Sequence, residues 1–351
     1  MLEKYNLQSV FGLYRYNMND ILFHAVKEMI CGPLKKGSYI KATTYQALSP
    51  SRHFLYDIVS NKTNLMNVDK WEGLSRDSFQ CGLTQTRNIM HERFMKFAKV
   101  LQTPTEGEQM TAICYRDKVA ADVCEMLQAR YRQRELTTFH KVKIAVDLMI
   151  SDAFEAAADH LTFTTQNGDI VRLASVLEDM DAYLMLDDKI IDTILQSYNN
   201  EMLRDSREIV ERIQRRRLYK FVGRLRLPPR DDEQDDESVE ADAIRLEKTT
   251  AEDIVRHHDN NGTLEAADLC LTTVSMDYGL ENEHPIERMQ FYRKDTETPI
   301  HIGRKEVSYQ LEPTFLGKSL FIYVRNEARK DNAKRCIQQF ARHCGLVIDN
   351  E

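Results

Sequence analysis

Two stretches of this sequence carry the side chains best suited to chemistry. The first is NVDKWEGLSRD, residues 67–77, in which Asp69, Gly73 and Asp77 recur at every fourth position. On a helix that spacing sets all three along one face, with Lys70 beside them. A carboxylate on such a face can ligate a metal, and a lysine can meet a phosphate. Taken alone, acids and a lysine alternating on a helix more often describe a solvated surface.

The second stretch is ICYRDKVAADVCEMLQARYRQRELTTFHKVK, residues 113–143. It offers Arg116, Lys118, Arg130, Arg132, Arg134, His140, Lys141 and Lys143. The planar fork of arginine suits two-point phosphate contacts, and lysine acts as a compact point charge. Arg116 and Lys118 stand just before a helix, where free backbone amides also favour an anion. There is no glycine-rich phosphate loop, so side chains would have to hold any nucleotide.

The elements that position these residues read mainly as helix over the first 220 residues. Helical spacing marks 20–30, behind Asn19 as a cap, then 89–101, 118–132, 139–161, 173–186, 189–196 and 205–221. Residues 161–171 alternate instead and contain Asn167-Gly168, which predicts a short hairpin. Pro228 and Pro229 end the helical region. The acidic segment after them has almost no apolar residues, so 229–243 reads as a linker. Beyond it, 269–274, 289–292, 300–302 and 320–325 read as strands and 326–344 as a helix. The expected domains are a mainly α part, 1–228, the linker, and a smaller α+β lobe, 244–351.

Composition narrows the class. With 42% hydrophobic and 29% charged residues, the 351-residue chain reads as a soluble globular protein. No apolar run approaches the roughly 20 residues that span a bilayer, and MLEKYNLQSV has no secretory pattern. The seven cysteines are scattered and never in a C-x-x-C pair, which fits a reducing compartment. The net charge of −7 hides a basic block at 212–230, followed at once by the acidic one. Such a pair of blocks is either a solvated helix end running into a linker or a set of arginines that face an anion. A third use of the stripe, nucleic-acid binding, is weakened by the negative net charge and the lack of interleaved aromatic residues.

In order and separation these two stretches resemble the family of animal SAM- and HD-domain-containing dNTP triphosphohydrolases. The likeness continues through YDIVSNK, HKVKIAVDLMISDAF, LEDMDAYLMLDDKI, RRRLYKFVG, VSMDYGLENEHPIERMQFYRK and FLGKSLFIYVR. It implies the helical C-terminal part of an HD-domain dNTPase core with a smaller α+β C-terminal lobe. It further implies cleavage of a dNTP to deoxynucleoside and triphosphate, activation by GTP or dGTP, and assembly of copies into tetramers in the nucleus or cytoplasm. Asp69 matches a metal ligand, with zinc, iron or manganese and also magnesium as the family's ions. Lys70 matches a lysine on the substrate phosphates, Asp77 an acid on the deoxyribose 3′-hydroxyl, and Arg130 an arginine on the triphosphate. Arg93, Arg116, Lys118, His140, Lys141 and Arg304 match the allosteric nucleotide sites. Arg216 and Lys220 match residues that clasp the activating nucleotide between subunits.

Departures from the family pattern are as informative. Its HD site needs a His, a His-Asp pair and a distal Asp. Only the distal Asp is seen, as Asp69, and the others are expected upstream of Met1. The chain is therefore expected to be a truncated version, inactive on its own; the alternative is a non-catalytic paralogue that binds nucleotide or joins active subunits. His257-His258-Asp259 reads as a chance match, and His24 and His53 as ordinary surface or core histidines. Gly73 takes the place of a tyrosine of the sugar pocket, and Thr138 and Phe139 that of a Tyr-Gln pair. Leu136 replaces an allosteric arginine and Asp122 an allosteric asparagine, which sets an acid near a nucleotide phosphate.

Overall fold

The computed structural model describes residues 20–33, 45–83, 91–103, 110–228, 244–258, 264–276, 284–307 and 317–349. In chain order the helices are α1 (Asp20–Cys31), α2 (Phe54–Ser60), α3 (Val68–Gln80), α4 (His91–Lys96), α5 (Ala120–Leu136) and α6 (Lys141–Ala157). They continue as α7 (Met180–Tyr183), α8 (Ile190–Gln196), α9 (Arg204–Gln214), α10 (Ala251–His258), α11 (Arg304–Val307) and α12 (Lys330–Cys344). The strands are β1 (Ala98–Thr103), β2 (Met110–Arg116), β3 (Thr162–Thr164), β4 (Ile170–Arg172), β5 (Lys220–Arg226), β6 (Leu269–Met276), β7 (Phe291–Tyr292), β8 (Gly317–Val324) and β9 (Val347–Asp349). Among the described residues the fold is thus mainly helical with three small sheets.

Contacts gather the chain into two units, residues 1–137 with 276–316, and residues 138–275 with 317–351. In the first, Trp71 and Leu74 from α3, Phe94 from α4, Val123 and Leu127 from α5, and Phe291 from β7 share one buried core. β1 and β2 pair antiparallel from Ala98↔Tyr115 to Thr103↔Met110, and β7 joins β2 in parallel. A buried carboxylate anchors the start of this unit. Glu28 accepts hydrogen bonds from the backbone of Gln46 and Ala47 and from the Tyr56 hydroxyl, the last at 2.6 Å.

The second unit packs α12 on a sheet of order β6-β8-β5-β9. Ala333, Cys336, Ile337, Phe340 and Ala341 recur at helical spacing, so one face of α12 is apolar and buried. Gly345, at φ 68°, ends that helix in the left-handed cap that glycine adopts without a steric penalty. A second core joins α6, α8 and α9 through Ala153, Ala157, Ile194 and Val210. The hairpin expected at 161–171 is present as β3 and β4, with Gly168 at φ 87° in its turn.

Local readings change in three places. The helix read at 89–101 stops at Lys96, and Ala98–Thr103 is strand β1, because six paired positions on β2 outweigh local helical spacing. The helix read at 205–221 ends at Gln214; Arg216 turns the chain at φ 57° and Lys220–Arg226 becomes β5, between β8 and β9. The two contact units are each built from two stretches of the chain. β5 lies before segment 229–243 and pairs with β8 and β9 beyond it, so each unit takes residues from both sides. The segment 229–243 itself lies outside the described residues. Of the strand read at 300–302, Ile300 keeps a single bridge to Phe291.

Candidate functional site

Helix α3 is introduced by three asparagines at every third position. Asn61 accepts from the amides of Thr63 and Asn64, Asn64 from that of Met66, and Asn67 caps the helix by accepting from the amide of Lys70 at 3.0 Å. These side chains fix where the first turn of α3 starts, and with it the direction of Lys70. Leu65, between two of them, stands at φ 62°, a conformation that costs a non-glycine residue about 1–2 kcal/mol. Sequence reading missed this loop. The three-residue spacing of the asparagines was its visible signal.

The opposite wall comes from α5. Gln133 is buried and its amide donates to the Leu74 carbonyl and to the Ser78 hydroxyl, both on α3. With Leu74, Val123 and Leu127 in one core, this bond holds α3 and α5 side by side. Lys70 and Arg130 then line one recess, together with Leu65, Met126, Leu127 and Pro285. The Lys70 amine is pushed down to about 8, first by burial, then by the positive charges of Arg130, Lys62 and Arg134. A site that resists its own charge in this way favours a polyanion, which would stabilise both cations.

The acids are placed differently. Asp69, in the first turn of α3, is exposed, and its carboxylate is a minor influence on Lys70. Asp77 is exposed two turns on and bound to Arg76 at 3.2 Å. A Cβ built at Gly73 would meet nothing nearer than the end of Arg76 at 4.0 Å, so the face between the two acids is open. No group of three or more His, Cys, Asp or Glu that could hold a metal occurs among the described residues. A lone exposed carboxylate does not fit a transition-metal site, which needs several ligands in fixed geometry.

The other expected anion ligands already have partners within the chain. In the first unit, Arg93 lies 3.0 Å from Asp122, Arg116 bonds Asp117 at 2.9 Å, Arg304 lies 4.0 Å from Glu287, and the Lys118 ammonium sits 3.6 Å over the Phe97 ring. In the second unit, His140 caps α6 by accepting the Val142 amide on Nδ1, and Lys141 sits over Phe221. Lys220 pairs with Glu327 at 3.3 Å, while Arg224 and Arg226 share Asp349. Three of the eight basic residues of the block therefore lie on a paired strand rather than a solvated helix end. Arg216 is exposed at its left-handed turn. His24 lies 3.7 Å from the buried Glu28, and His53 bonds the Leu48 carbonyl, both structural settings. His257 and His258 end α10; their side chains and Asp259 lie outside the described residues.

Comparison with known proteins decides the relationship. The chain is 32% identical to human deoxynucleoside triphosphate triphosphohydrolase SAMHD1 over 314 residues, which is 89% of this chain and 47% of that protein. The bovine protein of the same name is 33% identical over 335 residues, 94% of this chain and 54% of the relative. The chain belongs to the SAMHD1 family. A homologue from Dictyostelium discoideum, 28% identical over 337 residues, extends that family well beyond animals. The chain spans about half the length of the curated relatives it matches. No family model matches it. No described helix is long and apolar enough to cross a membrane.

Proposed function

We propose that this chain is a nucleotide-binding member of the SAMHD1 family that seats the triphosphate of a dNTP on Lys70 and Arg130. One observation carries this reading: a half-buried lysine, pushed down to about 8, shares a recess with an arginine from a second helix. Burial and the neighbouring positive charges disfavour the charged form of Lys70 there, and a triphosphate supplies several negative oxygens at once to offset them. The relatives are named as dNTP triphosphohydrolases, which makes that triphosphate the natural ligand.

Hydrolysis to deoxynucleoside and triphosphate would need metal ligands besides Asp69. The proposed role of these 351 residues alone is accordingly binding rather than turnover. Activation by GTP or dGTP through Arg93, Arg116 and Lys118, and assembly of copies into tetramers in the nucleus or cytoplasm, belong to the same proposal. The alternative within it is a non-catalytic paralogue that joins active subunits.

Calorimetric titration with dGTP and with inorganic triphosphate tests the seat. Lys70→Ala and Arg130→Ala should each weaken both ligands by tenfold or more, and unchanged affinity in both variants would sink the reading. Asp69→Ala should leave affinity unaltered in metal-free buffer. Triphosphate release from dGTP with added Mn²⁺ that disappears in Asp69→Ala would overturn the non-hydrolytic part.

A further inference from the structure

The four-stranded sheet of the second unit has two unlike edges. Among the described residues β9 closes one side and β6 the other. β9 is three residues long, and its Asp349 is held by Arg224 and Arg226. A short edge strand that carries a charge resists further pairing. β6 has no such protection: its eight residues, LCLTTVSM, include no charge and no proline. A groove of about 360 Å³ lies along this edge, lined wholly by the second unit. Thr272, Thr273, Val274 and Ser275 all line it. Successive side chains of a strand point to opposite faces, so four consecutive residues meet one groove only where the strand turns its edge to it. The backbone N–H and C=O groups that β8 does not use emerge at that edge.

We propose that the groove between α6 and β6 takes an extended, uncharged peptide segment of another protein, which pairs with β6 as a fifth strand. α6 contributes a single helical stripe to the lining, Lys143, Ile144, Asp147, Leu148 and Ser151. Residues four apart on a helix repeat every roughly 6 Å, close to the roughly 6.6 Å between same-face residues of a strand. The side chains of a strand laid in the groove therefore keep step with the stripe. Ile144 and Leu148 offer apolar contact, and Thr272 and Val274 suit hydroxyl and branched partners across the strand pair. Lys143 and Asp147 neutralise each other at 2.5 Å, so a charged side chain would find no free counter-charge in this stripe. A line of alternating donors and acceptors is matched by another extended backbone rather than by a compact small molecule. The partner chemistry is thus a segment alternating hydroxyl and β-branched residues, and the assignment is independent of the nucleotide reading.

Fluorescence anisotropy with a short labelled peptide of alternating threonine and valine, capped at both ends, tests the proposal on the full chain. Binding should saturate. Ser151→Trp fills the groove from an exposed position of α6 and should weaken binding at least tenfold, with folding checked by thermal unfolding. A second measurement needs no variant. Two further peptides carry N-methyl groups on alternate residues, one on the odd set and one on the even. A strand bonds its neighbour only through the alternate amides that face it, so one set should lose binding at least tenfold and the other should keep it. No saturable binding of the parent peptide, equal affinity in Ser151→Trp, or the same effect of both methylated sets overturns the proposal.

Discussion

Asp152 and Arg325 meet as a two-point ion pair, Nε to Oδ2 at 2.9 Å and Nη2 to Oδ1 at 3.3 Å. The same carboxylate accepts the Tyr219 hydroxyl at 2.7 Å, and Arg325 Nη1 donates to the carbonyls of Ala267 and Leu269. One arginine at the end of β8 thereby ties α6, the start of β5 and the start of β6 together within the second unit. The Tyr219 hydroxyl, buried against this carboxylate, is held well above its ordinary range, so it remains a donor at any working pH.

Arg325→Met should therefore be strongly destabilising. It leaves Asp152 charged without its cation and two carbonyls without a donor, a loss of about 2–4 kcal/mol. Urea unfolding should show it as a lower midpoint with unchanged slope. Arg325→Lys should recover only part of the loss, because an ammonium cannot reproduce the two-point fork. Full rescue by lysine would mean that charge alone matters here.

A second prediction concerns pH. Asp57 is half-buried, and burial pushes its carboxyl up to about 6 although the Ile113 amide donates to it at 3.4 Å. Between about 4 and 6 the folded state holds this proton more tightly than the unfolded chain, so this group's contribution to stability falls as pH rises through that window. Burial of the charge is then fully opposed to folding at pH 7. Asp57→Asn should raise stability at pH 7 by on the order of 2 kcal/mol and leave it nearly unchanged at pH 4. His284 works in the opposite sense: burial and Arg304 push it down to about 4, so its contribution is lost as pH falls from about 6.5 through 4. Unfolding curves of Asp57→Asn at pH 4, 5.5 and 7 separate the two. An equal shift at all three values would refute the assignment.

Helix ends supply a third. α12 closes on Gly345 at φ 68°, whereas α9 closes on Arg216 at φ 57°. The two ends do the same geometric work, but a non-glycine residue in that region carries strain. Arg216→Gly should stabilise the chain by about 0.5–1 kcal/mol in thermal unfolding. If the exposed guanidinium contacts nucleotide, the same change should weaken GTP binding while raising the melting temperature. A variant that loses both stability and binding would show that Arg216 serves folding rather than ligand.

What the sequence disclosed depended on whether a signal was local. The helix α12 and the hairpin at Gly168 are set by residues within a turn or two, and each was legible. Strands β1 and β5 were not. β1 pairs with the next strand, and that pairing overrides the local helical spacing that ran on from α4; the arginines of β5 read as a helix end because Asp349, which neutralises two of them, is more than a hundred residues distant. In the site, Lys70 and Arg130 were named one by one, but only Gln133, through Leu74 and Ser78, shows why they share a recess. The meeting of Arg93 with Asp122 required the fold.

The lowered amine of Lys70 makes a last prediction, one that reads the proposed seat directly. At pH 8 about half of the Lys70 side chains are neutral, whereas an unburied lysine would be almost fully charged. A bound triphosphate restores the charged form, so binding should draw a proton from solution between about pH 8 and 10. Affinity should accordingly fall with rising pH across that window, where an ordinary lysine would hold it constant. The proton count follows from titrating inorganic triphosphate in two buffers of different ionisation enthalpy at pH 8.5. Uptake approaching one proton, beyond any taken up by the ligand itself and absent in Lys70→Arg, is expected. If uptake is the same in both proteins, Lys70 is not the group that meets the phosphates.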